Sequence, residues 1–379
     1  MPKPSPAIKT CHPLVEDWEP AVVPVETVAE PEAARELALI SAGRLKLAAS
    51  ESAGAPKNRH QPQRVNVAPV TGMEFAMSVA RGLSDIPRRL ESRFLYDTHG
   101  SHIFERICEQ PEYYLTRTEA TILASAAADI ARRTGNLTLV ELGSGSSVKT
   151  QLLLEAFGGQ YGAVSYTPVD VSRTILEMAQ REIKARYPAV RVHPVHGTYE
   201  DAFPLLPSLS PVMLLFLGST LGNLDAHEAG QFWHKISANL LPGNFCLLGI
   251  DINEDADSLN AAYNDAAGYS ADFTRNLFSR MNRELGSALD TGAIDHVAHY
   301  MPRWRQVEIF ARFNTEQRIE IAPLGSAFRI SGGEMILTEI SRKFRLKQIV
   351  PYLCTFGLRT EKIYSDCDSR VAVLLLKKV

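Results

Sequence analysis

The tightest chemical pattern in the chain is Glu141-Leu142-Gly143-Ser144-Gly145-Ser146-Ser147, which ends the apolar run LTLVEL and opens the run SVKTQLLLEAF. A strand-to-helix turn with two glycines lets the main chain approach a ligand at a helix N-terminus. The next apolar run, VSYTPVDVS, ends on Asp170, an acceptor suited to a ribose diol. Two adenosine-bearing cofactors fit such a turn. A dinucleotide site needs GxGxxG, and the third glycine position is Val148 here. S-adenosylmethionine carries no phosphate and is served by an acid-led ExGxG, which Glu141, Gly143 and Gly145 supply. A lone GxG is equally a plain tight turn, so the preceding acid and Asp170 carry the reading. A metal is not expected. The five cysteines are scattered without CxxC spacing, and the ten histidines include no HExxH.

These residues need a scaffold that delivers them to one rim. LTLVEL (137–142), VSYTPVDVS (164–172), VRVHPV (190–195), VMLLFLG (212–218) and FCLLGIDI (245–252) are continuous apolar runs, the signature of buried parallel strands. Between them, 147–157, 173–187 and 226–241 read as helices. The alternation predicts an α/β fold, a Rossmann-like doubly wound sheet with helices on both faces and right-handed crossovers. Upstream, 72–90, 101–109 and 118–134 read as helices, the last with Ile122, Leu123, Ala126 and Ile130 on one face. The pattern breaks over 253–342. A helical stretch at 256–285 and the alternating runs HVAHY, RQVEIFARF and RIEIAPL predict an inserted α+β lobe over the carboxyl ends of the strands. KFRLKQIVPYLCTFGL then reads as a helix, and KIYSDCDSRVAVLLLKKV as a strand, a turn and a last strand. The expected division is N-terminal helices and core over 72–252, a substrate-binding lobe over 253–342, and completion of the core over 343–379.

Residues 1–70 hold ten of the 22 prolines and few aromatics. They read as a largely disordered extension, with one amphipathic helix over 31–50. The 379 residues are 45% hydrophobic and 22% charged, with a net charge of −3. That balance suits a globular protein and gives no purchase to nucleic acid or an anionic membrane. No 18-residue apolar run is present, and MPKPSPAIKT lacks the apolar stretch of a secretory signal. The expectation is a cytoplasmic monomer that acts on a small molecule.

Six ordered strings go further: YDTHGSHIFERICEQPEYYLTRTEA (96–120), ELGSGSSVKTQLLL (141–154), PVDVS (168–172), LGSTLGNL (217–224), DINEDADSLNAAYND (251–265) and LTEISRKF (337–344). Together they resemble the histidine Nα-methyltransferases of ergothioneine biosynthesis. The similarity runs from about 72 to 379. It implies a class I methyltransferase fold, whose sheet usually closes with a short hairpin, and S-adenosylmethionine as cofactor. It also implies repeated methylation of the histidine amine to hercynine, by in-line attack of the neutral nitrogen on the activated methyl.

The resemblance also implies roles. Gly143, Ser144, Gly145 and Lys149 match the cofactor loop, and Asp170 the acid on the ribose. Tyr96 and Phe104 match residues that close over cofactor and substrate. Tyr113, Asn223 and Tyr263, beside the backbone of Gly218, match the groups that hold the amino acid's carboxylate and amine and so carry catalysis. Glu339 and Ser341 match the pair on the imidazole. A neutral imidazole offers one donor and one acceptor, which a carboxylate and a hydroxyl can meet; an imidazolium can instead pair with Glu339. Two positions depart from the family. Ile309 stands where a methionine usually lines the ring. Thr198-Tyr199 replaces an acidic-aromatic pair at the adenine, which predicts a hydroxyl or backbone amide as the adenine contact. Two rival readings remain at this point: a methyltransferase of this architecture acting on another amino acid or small amine, and a catalytically silent binding relative.

Overall fold

The computed structural model describes residues 72–379. The extension over 1–70 and its helix over 31–50 lie outside the described residues.

The parallel strands form where the apolar runs predicted them: β1 (Thr138–Leu142), β2 (Val164–Asp170), β3 (Val190–Val192), β4 (Val195–His196), β5 (Val212–Phe216) and β6 (Phe245–Asp251). VRVHPV is split in two because Pro194 offers no N–H to the ladder. After β6 the chain builds helices Ala256–Ala262 and Tyr269–Leu285, then β7 (Ile294–Met301), β8 (Gln306–Phe313), β9 (Gln317–Ile321), β10 (Ser326–Ile330) and β11 (Met335–Arg342). Helix Leu346–Cys354, β12 (Leu358–Ser365) and β13 (Val371–Lys378) follow.

The main sheet runs β12-β13-β6-β5-β1-β2-β3, with β4 also on β2. Its β1–β6 pairings are parallel, and β13 enters antiparallel between β6 and β12. Strand order reverses at β1, which has β2 on one side and β5 on the other. Loops after those strands therefore open a crevice at one rim, where ligands of such sheets bind.

Alternation puts successive side chains on opposite faces. Leu139, Met213, Leu247 and Val373 belong to one apolar layer with helices Tyr114–Thr134 and Thr150–Tyr161; Val140, Leu214, Leu248 and Leu374 belong to a second with helices Ala226–Asn239 and Leu346–Cys354. Both faces are thus covered.

The 253–342 stretch builds a separate antiparallel sheet, β11-β8-β7, and a β9–β10 hairpin. On β8 the residues Val307, Ile309, Ala311 and Phe313 are buried, and they share the first apolar layer with the main sheet. The far edge of β11 is stitched to the N-terminal segment: Leu90 N–H donates to the Leu337 carbonyl at 2.8 Å, and Leu337 N–H to that of Arg88 at 3.2 Å.

Several helices differ from expectation for local reasons. The first, Gly72–Ser84, stops short of 90 because the residue before Pro87 avoids helical geometry. Thr98–Glu109 starts three residues early, where Asp97 accepts from Gly100 N–H at 2.7 Å. Tyr114–Thr134 likewise starts ahead of 118. The helix expected from 147 starts at Thr150, because Ser147 is left-handed at φ 58°. The stretch 256–285 is two helices, broken where Asp265 caps Tyr269 and Ser270.

Candidate active site

Gly143 and Gly145 have φ of 67° and 50°, left-handed values that favour glycine. The N–H groups of Gly143 and Ser144 both donate to the Val169 carbonyl, at 2.9 and 3.1 Å. Gly145 N–H donates to Asp170 Oδ2 at 2.9 Å, and Ser172 N–H to Oδ1 at 2.9 Å. The glycine turn and the acid are therefore locked together. Burial pushes the Asp170 carboxyl above its ordinary pKa, against the pull of these amides.

Glu141 serves this turn from below. It accepts from Thr150 Oγ1 at 2.6 Å and from the Tyr166 hydroxyl, tying the helix start to both strands. Burial lifts its pKa to about 7. Above the turn Gly143 is open, while Ser144 Oγ is buried without a partner. Tyr199 packs on Phe216 and leans its hydroxyl over Gly143, where a Cβ would stand 3.0 Å away. An open glycine floor, an acid at the neighbouring strand end and an unmatched hydroxyl fit an adenosine-bearing cofactor.

The Thr198 amide and hydroxyl donate to Asp201 Oδ2, at 2.7 and 2.8 Å, in a capping box. Tyr199 is the member of the pair whose hydroxyl faces the glycine turn.

Lys149 forms an ion pair with Glu119, which is 1% exposed. Burial pulls the Lys149 pKa down, but Glu119 outweighs it and the net shift is upward. Both Glu119 oxygens also accept from Gly218 N–H, at 2.9 and 3.0 Å. One buried carboxylate thus joins the lysine after the glycine turn to the loop after β5. Sequence reasoning gave Glu119 no role. The signal was there: it sits three residues before Ile122 and four before Leu123, on the apolar stripe of its helix, where a charge is rarely buried unpaired.

Four of the expected aromatic residues form a continuous chain of rings. Tyr96 and Phe104 stand 5.3 Å apart, Phe104 and Tyr113 6.2 Å, and Tyr113 and Tyr263 6.1 Å, mostly edge to face. Phe273, absent from the sequence expectations, packs on both Tyr96 and Phe104. Tyr96 and Phe104, expected to close over the site, are therefore contiguous with Tyr113 and Tyr263, expected at the substrate's carboxylate and amine.

The polar residues meet at β11. Asn223, at the end of the turn Thr220–Asn223, donates Nδ2–H to Glu339 Oε1 at 2.8 Å. Tyr263, just after helix Ala256–Ala262, donates to Ser341 Oγ at 2.7 Å. Glu339 and Ser341 are two residues apart, so both project from one face of the strand. Ile309 lies directly across from Glu339 in the β8–β11 ladder, on that same face. Burial lifts the Glu339 carboxyl to about 7; the Asn223 amide and Lys343 pull it back only in part.

Lys343 was missed by sequence reasoning, and it is 4% exposed here. Its Nζ pairs with Asp251 Oδ2 at 2.8 Å and donates to Ser341 Oγ and Tyr263 OH at 2.9 and 3.0 Å. Tyr114 donates to both Asp251 oxygens at 2.8–2.9 Å. The spacing Glu339-x-Ser341-x-Lys343 continues the period of the strand and was the available signal.

With this geometry in place, comparison with known proteins gives a consistent result. The model of a family described as "Histidine-specific methyltransferase, SAM-dependent" matches residues 75–378. A histidine N-alpha-methyltransferase of Mycolicibacterium smegmatis is 38% identical over 76% of this chain and 90% of its own length. That of Mycobacterium tuberculosis is 36% identical over the same shares. Ergothioneine biosynthesis protein 1 of Neurospora crassa is 34% identical over 53% of this chain and 24% of its own length.

Proposed function

Because the chain belongs to the family of histidine-specific, S-adenosylmethionine-dependent methyltransferases, we propose that it methylates the α-amino nitrogen of L-histidine, through to the trimethylated product hercynine of ergothioneine biosynthesis. The observation that carries this reading is the convergence of Asn223, Tyr263, Glu339 and Ser341 on one face of β11.

Bound S-adenosylmethionine supplies a methyl group activated on a sulfonium. Gly143, Ser144 and Gly145 form its floor, Asp170 accepts from its ribose, and Tyr199 borders the adenine. Lys149, with one proton committed to Glu119, keeps two for the cofactor's carboxylate. Tyr96 and Phe104 cover the site. Tyr113, Asn223, Tyr263 and the backbone of Gly218 hold the substrate's carboxylate and amine. Ile309, Glu339 and Ser341 hold its ring.

Asn223 and Tyr263 are uncharged and so do not trap the amine as a salt-bridged ammonium. An α-amine has a pKa near ~8, so a useful neutral fraction exists without a strong base. The acceleration then comes mainly from holding that nitrogen in line with the methyl. In this reading 253–342 is the substrate-binding lobe, and the enzyme is a cytoplasmic monomer that needs no metal, nucleic acid or membrane.

The test is incubation with methyl-labelled S-adenosylmethionine and an equimolar mixture of the twenty amino acids. Label should appear in histidine derivatives carrying up to three methyl groups. Label on another amino acid would replace the substrate, and no transfer at all would overturn the reading.

A further inference from the structure

Lys343 Nζ makes three hydrogen bonds, to Asp251 at 2.8 Å, Ser341 at 2.9 Å and Tyr263 at 3.0 Å. An ammonium has three protons and no lone pair, so this one is saturated and each partner accepts from it. Burial alone would lower its pKa, but Asp251 and the Tyr263 hydroxyl hold it above the ordinary lysine value. The Tyr263 and Ser341 hydroxyls also lie 2.7 Å apart. A phenol is the stronger acid and donates in that pair.

Ser341 Oγ therefore receives a proton from Lys343 and another from Tyr263. Both of its lone pairs are filled, and its own O–H is left as a donor. Glu339, two residues earlier on the same face, is an acceptor when ionised. We propose that Lys343 is a positioning residue that makes Ser341 a pure hydrogen-bond donor, so that the site takes the neutral imidazole and rejects the imidazolium. A neutral ring gives its N–H to Glu339 and takes the Ser341 proton on its bare nitrogen. An imidazolium brings a second N–H to Ser341, where no lone pair is free. This rests on the reading above that Glu339 and Ser341 grip the ring.

Ser341 bonds Lys343, which pairs with Asp251 on β6, and Glu339 lies two residues away on the same face of β11; behind Tyr263, His296 Nε2 meets the Tyr263 carbonyl at 2.9 Å, and burial lowers the His296 pKa. The phenols of Tyr96, Tyr113 and Tyr263 stay neutral, because burial raises the pKa of each. Of the groups at the ring, Glu339, at about 7, and the substrate's own ring, near ~6.5, titrate near neutrality; Glu141, also at about 7 beneath the glycine turn, and the substrate's amine, near ~8, bear on both substrates alike.

The comparison of histidine with 2-fluorohistidine separates these two. Fluorine between the ring nitrogens drops the ring's basicity far below neutrality at little change in size. Titration of Glu339 acts on both substrates and cancels in the ratio of their kcat/KM values, followed from about pH 5.5 to 8.5. For the wild-type protein the histidine to 2-fluorohistidine ratio should be level above about pH 7.5 and fall roughly tenfold per unit below the ring's pKa. A ratio that stays level into acid overturns the proposal. In Lys343→Met with Asp251→Asn, which removes both buried charges together, the freed lone pair lets Ser341 accept, and the ratio should flatten. Ser341→Ala should flatten it as well, without touching the ion pair. Acid limbs as steep as wild type in either variant would show that Lys343 does not act through Ser341. Absence of histidine methylation by the wild-type protein would instead sink the functional reading itself.

Discussion

Glu339 sits where ionisation is costly, with its carboxyl lifted from 4.5 to about 7. The unfolded chain releases that proton in the ordinary carboxylate range. Between the two values the folded state therefore holds more protons, and stability falls as pH rises from about 4.5 to about 7. Glu339→Gln should flatten this part of a plot of Tm against pH for the ligand-free protein, and should erode the preference for histidine over other aromatic amino acids. Glu141, lifted to about 7 by burial, adds a slope of the same sign, so the fall should shrink rather than vanish. An unchanged slope would show that Glu339 ionises freely in the folded chain. Asn223→Ala removes the amide that faces this carboxyl. It should raise the KM for histidine at least about tenfold, in line with loss of a hydrogen bond to a charged group, with the cofactor's Kd by calorimetry nearly unmoved. Equal losses would take Asn223 out of the amine site. Single residues were legible where a string gave them a role. Lys343, although inside LTEISRKF, received none, because KFRLKQIVPYLCTFGL read as one helix. In the folded chain Lys343 N–H donates to the Arg305 carbonyl and Phe344 N–H to that of Asp251, which draws both out of the helix that starts at Leu346. Those partners are remote in sequence, so the every-second-residue spacing from Glu339 was the one local sign of where Lys343 belongs.

Among the elements, the parallel strands were readable from unbroken apolar runs, since burial on both faces leaves no polar alternation to confuse them. Helix ends were less so, being set by events such as the left-handed Ser147 and the Asp265 cap. β6 carries a packing demand that no propensity reveals. A Cβ on Gly249 would stand 1.8 Å from Glu119 Oε1 and 3.4 Å from the Leu217 Cα. Gly249→Ala should displace Glu119 and strain the strand, at about 1–3 kcal/mol, a fall of several degrees in Tm. Because Glu119 holds both Lys149 and Gly218, calorimetry should also show weaker S-adenosylmethionine binding than for Ala substitutions elsewhere on the strand. Loss of stability with intact cofactor affinity would separate the two roles.

At the scale of the molecule, the site draws on segments from Tyr96 to Lys343, brought together because the 253–342 sheet packs into the same apolar layer as the main one. Its recognition strand is held on both sides, by β8 and by Arg88–Leu90. The family match begins at residue 75. Removing residues 1–65 should therefore leave turnover of histidine intact in the labelled-methyl assay, and a dead truncation would give that segment a part in the reaction. Sequence alone conveyed the architecture and most of the groups meeting at β11. It withheld the buried charges beneath them, Glu119, Asp251 and Lys343, whose roles exist only once distant segments touch.

The carboxylate of Glu119 lies in the space that a side chain at position 249 would claim, while answering to a lysine and an amide from two other loops. Drift at any one of these sites strands the rest. Across diverging lineages, Glu119, Lys149 and Gly249 should consequently vary as a group, and descendants that lose one should be found to have lost or remade all three.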